Sequence, residues 1–283
     1  MAKPDFQVFS TLRYDTNLAH SPANALLTPS LIKSLRYHCF YMPIHHRDRL
    51  VEAANYFGWT HAADKLKGEE GLAFLLSNLG EEILTEIGTD GSPSLPLRVK
   101  VLLDHDGNLT IEKSTTSPVS LDNLYPPCLL DPEVDSTIVK SGMRGQLSEK
   151  VVDPSSPIYT IHVSQIYVVA GPHNSYKTTH REDYDNARRE KGILDMTELR
   201  EVLLVDHRGQ VIEGSLTSVY FFRDGNWVTP TLELGGVKGT TRRWALSQGL
   251  CTESVILASS LSEGEQCWIS NGLRGFQRGV ISL

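Results

Sequence analysis

Apolar residues keep a helical period from His46 to Ile87 and then switch, at Val99, to a period of two. This switch limits the fold more than any other feature, because side chains spaced for one face of a helix cannot line one face of a strand. Leu50, Ala54 and Phe57 recur at i, i+4 and i+7 with Gly58 where a helix would stop, and Leu72, Leu75, Leu76, Leu79, Ile83 and Ile87 predict a second helix. Val99, Val101 and Leu103 lead through a turn at Asp106-Gly107 to Leu109 and Ile111, the pattern of a hairpin. Aromatic and β-branched runs predict two further strands, at Phe6–Tyr14 and Arg36–Tyr41. Residues 1–115 therefore read as a small α+β domain.

Residues 116–157 scatter Pro, Ser and Asp with little periodicity and read as an interdomain linker. Residues 158–283 read as a second, larger domain. A strand is expected over Tyr159–Ala170, and Tyr184, Ala187 and Arg188 mark a helix over Arg181–Lys191. Glu201–Asp206, Val211–Glu213, Thr217–Phe222 and Trp227–Thr229, separated by turns at His207-Arg208-Gly209 and Asp224-Gly225, predict an antiparallel meander. Gly239-Thr240-Thr241 opens a helix with Trp244 and Leu250 on its inner side, and a last strand at Cys267–Ser270 precedes a closing loop.

Composition removes several classes of function. With 27 Lys+Arg against 34 Asp+Glu the net charge is −7, which argues against a nucleic-acid surface while allowing a local anion pocket. No stretch approaches the ~18 apolar residues of a membrane span, and no apolar run follows the charged start, so a soluble cytoplasmic protein is expected. Cys39, Cys128, Cys251 and Cys267 form no Cys-x-x-Cys pair, and His45-His46 has no Asp, Glu or Cys at ligand spacing, so no metal is expected. Gly-x-Gly-x-x-Gly, Walker, Gly-x-Ser-x-Gly and His-Glu-x-x-His motifs are all missing from the sequence, which weakens nicotinamide, nucleotide-triphosphate and serine-hydrolase readings.

A dispersed set of residues shares one logic. Lys177 lies in Tyr176-Lys177-Thr178-Thr179-His180-Arg181 between a strand and a helix, and Glu213 stands at a Glu-Gly-Ser corner. Gly236-Val237-Lys238-Gly239-Thr240-Thr241 is a Gly-rich entry to a helix, whose free N–H groups and dipole favour a phosphate. Arg49 can grip a phosphate with two N–H groups, although pairing with Asp48 or Glu52 on an exposed helix face explains it too. Pyridoxal phosphate asks for such a trio: an amine for its aldehyde, an acid for its ring nitrogen and an anion site for its phosphate.

The ordered blocks His-x-x-Arg-Leu (His46 to Leu50), Lys-Thr-Thr-x-Arg-x-x-Tyr-Asp-x-Ala-Arg (Lys177 to Arg188), Glu-Gly-Ser (Glu213 to Ser215), Gly-Val-x-Gly-x-x-Arg (Gly236 to Arg242) and Asn-x-Leu-Arg-Gly (Asn271 to Gly275) resemble the fold-type IV, class IV aminotransferase-like family of pyridoxal-phosphate enzymes. Within it, Phe6 to Tyr14, the Lys-Thr-Thr block and the Leu-Arg-Gly ending look like the 4-amino-4-deoxychorismate lyases, the fungal-type proteins in particular. The resemblance implies a two-domain α+β fold of the D-amino acid aminotransferase-like kind, with a small N-terminal α/β domain and a larger C-terminal pseudo-barrel domain, in a homodimer. It implies that Lys177 is the Schiff-base lysine and proton carrier, that Glu213 partners the pyridinium nitrogen, and that Arg49, Thr240, Thr241 and Asn271 hold the phosphate.

Substrate contacts are suggested for Arg13 and Arg274, which an ordinary salt bridge explains nearly as well, and for Arg181 and Tyr184, which also suit a plain helix start. Two positions depart from the family pattern: Ser218 replaces the usual Asn after the corner, and Gly272 the usual Ser or Ala of the last loop. The implied reaction converts 4-amino-4-deoxychorismate into 4-aminobenzoate and pyruvate for folate synthesis. A class IV transaminase acting on branched-chain or D-amino acids, and a catalytically inactive binding module of the same fold, remain the alternatives.

Overall fold

The computed structural model describes residues 4–28, 35–84, 95–132, 156–169 and 171–283. The chain divides into two compact units, Met1–Val119 with Pro172–His180, and Ser120–Gly171 with Arg181–Leu283. The architecture is α+β, as the switch in period requires. Among the described residues no helix is long and apolar enough to cross a membrane.

Unit 1 has an antiparallel sheet in the order β1 (Val8–Tyr14), β2 (Leu97–Leu103), β3 (Leu109–Thr115). Its longer helices among the described residues are α1 (Pro43–Tyr56), α2 (Thr60–Leu66) and α3 (Gly68–Leu84). Alternation sends Val8, Leu12 and Tyr14 of β1 into a core with Leu50, Ala53, Leu76, Val99 and Val101. Each of the Val and Leu side chains contributes about 1.5–3 kcal/mol by leaving water. The two helices and the hairpin read from periodicity are present, whereas α2, only one short run, was not legible. Ile87, at the end of the second expected helix, lies outside the described residues.

The strand expected over Arg36–Tyr41 is not there. Leu35–Cys39 forms a 3-10 turn, and only Phe40 makes a bridge, to Tyr14. Beside that bridge the Asp15 N–H donates to the Cys39 carbonyl (2.8 Å) and the Tyr41 N–H to the Arg13 carbonyl (2.9 Å), while the Asn24 side-chain amide donates to the carbonyls of His38 (2.7 Å) and Phe40 (3.0 Å), so side-chain bonds and a 3-10 turn hold a segment that its composition marks as a strand. A last piece of unit 1 arrives from far along the chain. Thr178 bridges Val8, the Phe9 N–H donates to the Lys177 carbonyl (3.0 Å), and the Thr179 N–H to the Gln7 carbonyl (2.9 Å).

Unit 2 is an eight-stranded sheet of β4 (Tyr159–Tyr167), β5 (Arg200–Val205), β6 (Val211–Gly214), β7 (Ser218–Arg223), β8 (Asn226–Pro230), β9 (Thr252–Ser254), β10 (Gln266–Asn271) and β11 (Gly275–Ser282). Its order is β6-β5-β4-β11-β10-β7-β8-β9. The antiparallel meander is corrected to a mixed sheet: β5–β6 and β7–β8 pair antiparallel, but β4 pairs parallel with both β5 and β11. A parallel β4–β5 pair needs a crossover, which helix α4 (Glu182–Glu190) supplies. The expected closing loop is largely β11, in the middle of the sheet. Gly275, Gly279, Gln277 and Arg278 interrupt its apolar alternation and hid it from a pattern reading. Ile161, Leu203, Val219, Phe221, Ile269 and Ile281 make one core, while Tyr184 and Ala187 of α4 pack with Val202, Leu204 and Ile212 in another.

Helix α5 (Thr240–Ser247) buries Trp244 as expected. Leu250 lies beyond it, because the chain turns at Gly249 (φ 68°) and the Leu250 N–H donates back to the Ala245 carbonyl (2.9 Å). Residues 133–155 of the expected linker lie outside the described residues, whereas Leu129 accepts from the Trp227 indole N–H (3.0 Å) within unit 2.

Gly275 offers a direct test of the sheet's centre. It combines a left-handed φ of 66° with the Asn123 carbonyl oxygen 2.3 Å from where a Cβ would stand, whereas Gly264 has φ 77° and open space around it. Gly264→Ala is expected to cost only backbone strain, about 1 kcal/mol, and Gly275→Ala distinctly more, read as a larger fall in Tm on thermal unfolding.

Candidate active site

In unit 1 the segment 172–180 presents Lys177 from a rigid base. A helical turn at Pro172–Ser175 closes when the Thr178 N–H and hydroxyl donate to the His173 carbonyl (3.2 and 3.1 Å). Lys177 itself sits in the left-handed region (φ 51°), a conformation that costs a non-glycine residue free energy and persists only where neighbours fix it. The bonds to β1 fix it, and its Nζ lies 5.2 Å from the Phe9 ring centroid, half-buried on that aromatic face.

Arg49 of α1 is buried, and its Nη2 donates to the Ser10 hydroxyl at 2.5 Å. The same hydroxyl meets His46 Nδ1 at 2.7 Å, one turn earlier on the helix. Asp48 is engaged by Arg47 Nε (2.7 Å). Arg13 is fully buried, with Nε and Nη2 on Asp15 (2.8 and 2.7 Å) and Nη1 donating to the Ser117 carbonyl (3.0 Å).

In unit 2 the end of β6 carries Glu213, whose Oε1 accepts from the Tyr184 hydroxyl (2.5 Å) and the Val237 N–H (3.1 Å). Burial, and then the adjacent Glu213 carboxylate, raise the Tyr184 phenol well above its ordinary pKa, so it stays protonated and donates. The Arg181 guanidinium lies 4.5 Å over the Tyr184 ring and donates to the Ser215 carbonyl (2.6 Å). A narrow cleft here is lined by Glu213, Ser218, Thr229, Gly236, Val237 and Arg242.

Helix α5 begins beyond that cleft's Gly236-Val237 wall. Its cap, Gly239, offers no side-chain acceptor, and the Thr240 hydroxyl is buried with no hydrogen-bond partner among the described residues. The Thr241 hydroxyl joins Ser270 Oγ (2.8 Å), which joins the Tyr220 hydroxyl (2.8 Å). Asn271 follows Ser270; its Oδ1 accepts from the N–H groups of Leu273 (3.0 Å) and Arg274 (2.9 Å), and its Nδ2 donates to the Leu216 carbonyl (3.4 Å). Arg274 reaches the Met196 carbonyl, with its guanidinium 5.9 Å over the Tyr159 ring.

These residues suit the cofactor that the sequence resemblance implies, each within its own unit. In unit 2, Glu213 is a buried acid of the kind a protonated ring nitrogen needs, and the start of α5, with its N–H groups and the buried Thr240 hydroxyl, has the donors and the dipole that suit a phosphate. In unit 1, Lys177 supplies a well-held amine and Arg49 a buried cation. The structure brings Tyr184, Arg181 and Glu213 together, and Thr241 close to Asn271 through Ser270. Sequence reasoning missed Ser10 and His46 as partners of Arg49, and the buried carboxylate Glu201; the one signal for Glu201 is a lone acid heading the apolar run Val202–Val205.

The family model described as amino-transferase class IV matches residues 31–280. The aminodeoxychorismate lyase of Saccharomyces cerevisiae is 26% identical over 199 residues, covering 65% of this chain and 51% of that protein. A Schizosaccharomyces pombe protein provisionally named aminodeoxychorismate lyase is 32% identical over 110 residues, covering 38% of this chain and 47% of that protein. The chain thus spans about half the length of these relatives. The crystal structure of a provisionally named amino-acid aminotransferase from Mesorhizobium loti superposes with a TM-score of 0.64 at 19% identity, over 98% of this chain and 100% of that one, a likeness of fold.

The Tyr184–Glu213 bond has a pH signature. A phenol whose folded pKa lies above its unfolded value of about 10 keeps its proton in the folded state while the unfolded chain loses it, so stability falls as pH rises past 10. In urea unfolding between pH 9 and 11, Tyr184→Phe is expected to flatten that fall by up to about 1.4 kcal/mol per pH unit. At neutral pH the same substitution is expected to cost about 1–3 kcal/mol, because Glu213 loses a buried donor.

Proposed function

We propose that this chain, which belongs to the amino-transferase class IV family, is a pyridoxal-phosphate-dependent lyase converting 4-amino-4-deoxychorismate into 4-aminobenzoate and pyruvate. The observation that carries the reading is the buried Glu213 carboxylate, oriented by two donors beside a Gly-rich helix entry. The choice of reaction is supported by the two yeast relatives that bear the lyase name.

When bound, pyridoxal phosphate supplies an aldehyde that takes up the substrate amine and a ring that draws electrons once its nitrogen carries a proton. Glu213 would hold that proton by a charge-assisted hydrogen bond, and Tyr184 and the Val237 N–H keep its carboxylate from turning away. Thr240, Thr241, Asn271 and Arg49 are assigned to the phosphate. Lys177 would hold the cofactor's aldehyde between turnovers, take the proton from the ring carbon that bears the substrate nitrogen, and return a proton to the departing enolpyruvyl group as pyruvate forms. Loss of that proton together with the ring C–O bond aromatises the ring, which drives the reaction forward. Arg274 is assigned to a substrate carboxylate. Arg13 is left out, because its buried guanidinium is used by Asp15 and Ser117.

A lyase needs no amino acceptor. The enzyme is expected to release 4-aminobenzoate and pyruvate in equal amounts with no 2-oxo acid added, and Glu213→Gln to keep the cofactor while losing rate by about 100-fold, the scale of one misplaced electrostatic group. Amino-group transfer from branched-chain or D-amino acids, with aminodeoxychorismate inert, would make the chain a transaminase instead.

A further inference from the structure

Glu201 is an anion in the interior of unit 2, only 2% exposed, and the mechanism above makes no use of it. Burying a carboxylate is costly unless directed donors replace its water. Here nearly all of them come from one stretch of chain. Glu201 Oε1 accepts from the Ser215 N–H (3.0 Å), the Ser215 hydroxyl and its own neighbour's Val202 N–H (2.8 Å). Oε2 accepts from the Leu216 N–H (3.1 Å) and the Thr217 hydroxyl (2.9 Å). Gly214 completes the wrapping by absence of a side chain: a Cβ there would stand 2.3 Å from Thr217 Oγ1 and 3.1 Å from Glu201 Cδ. The turn from 214 to 217 is therefore moulded around a negative charge.

That turn begins one residue after Glu213. Helix α4 serves both acids with residues one turn apart: Tyr184 donates to Glu213, while Arg188 donates to Ser215 Oγ (3.1 Å) and lies 3.8 Å from Glu201. On the far side of the turn, the Leu216 carbonyl accepts from Asn271 Nδ2 (3.4 Å). We infer that Glu201 is a positioning residue: its buried charge fixes the 214–217 turn and through it the places of the Glu213 carboxylate and the Asn271 loop. This rests on the reading in which Glu213 faces the cofactor. A neutral amide in place of the carboxylate turns one acceptor into a donor that meets the donors of the turn, so the turn must open even where the fold survives.

The test compares wild type, Glu201→Gln and Ser215→Ala, the last removing one donor as a milder change, with Ile281→Val as a core variant whose loss of stability leaves the turn alone. Glu201→Gln loaded with pyridoxal phosphate is expected to shift the visible absorption band and its pH midpoint, and to lower kcat by about 10–100-fold, the range for supporting residues around a reactive centre, with KM little changed. Ser215→Ala moves the same quantities less, and answers the question if Glu201→Gln does not fold. A crystal structure of the variant without cofactor should have the Tyr184–Glu213 bond lengthened. A band, midpoint and kcat like those of wild type, with only Tm lowered to the level of Ile281→Val, would overturn the inference. If wild-type protein takes up no pyridoxal phosphate, the cofactor assignment fails, and the position of Glu213 in the variant crystal alone decides what Glu201 does.

Discussion

A carboxylate keeps its charge inside a protein only where donors replace the water it has lost, and unit 2 is organised by that requirement twice over. Glu213 is met by a phenol from α4 and an N–H from the Gly236-Val237 stretch, and Glu201 by the turn between β6 and β7 with Arg188 beside it. The mixed sheet supplies part of those donors. β4 and β5 run parallel, so a crossover must pass over them, and the crossover helix is the element that delivers Tyr184 and Arg188. A simple antiparallel meander would leave both acids without these partners.

In unit 1 the governing strand is β1. One of its faces feeds the core through Val8, Leu12 and Tyr14, with Ser10 between them reaching Arg49 and His46, while Phe9 on the other face carries the Lys177 ammonium. Its backbone holds the turn that puts Lys177 in a left-handed conformation, so strain at this lysine is offset by strand bonds on both sides. The precision of such a site belongs to the supporting contacts rather than to the reactive groups.

The sequence carried much of this, and the exceptions have physical causes. The long periodic helices and the Val99–Ile111 hairpin were legible because burial repeats in them. Arg36–Tyr41 has the composition of a strand, yet Asn24, distant in sequence, takes its carbonyls. β11 was hidden by two glycines required for close packing, and parallel neighbours leave no local mark at all. Lys177, Glu213, Thr240 and Thr241 stood out through their order along the chain. Glu201 and Ser10 did not, since a lone polar residue in an apolar run looks the same whether it anchors a turn or merely interrupts a strand.

Lys177 is proposed as the amine that carries pyridoxal phosphate. The direct measurement is borohydride reduction of the protein after incubation with pyridoxal phosphate, followed by peptide mapping by mass spectrometry. One stable adduct is expected, on the peptide containing Lys177, with the visible absorption lost as it forms. An adduct confined to another lysine, or none at all on a folded protein, would contradict it.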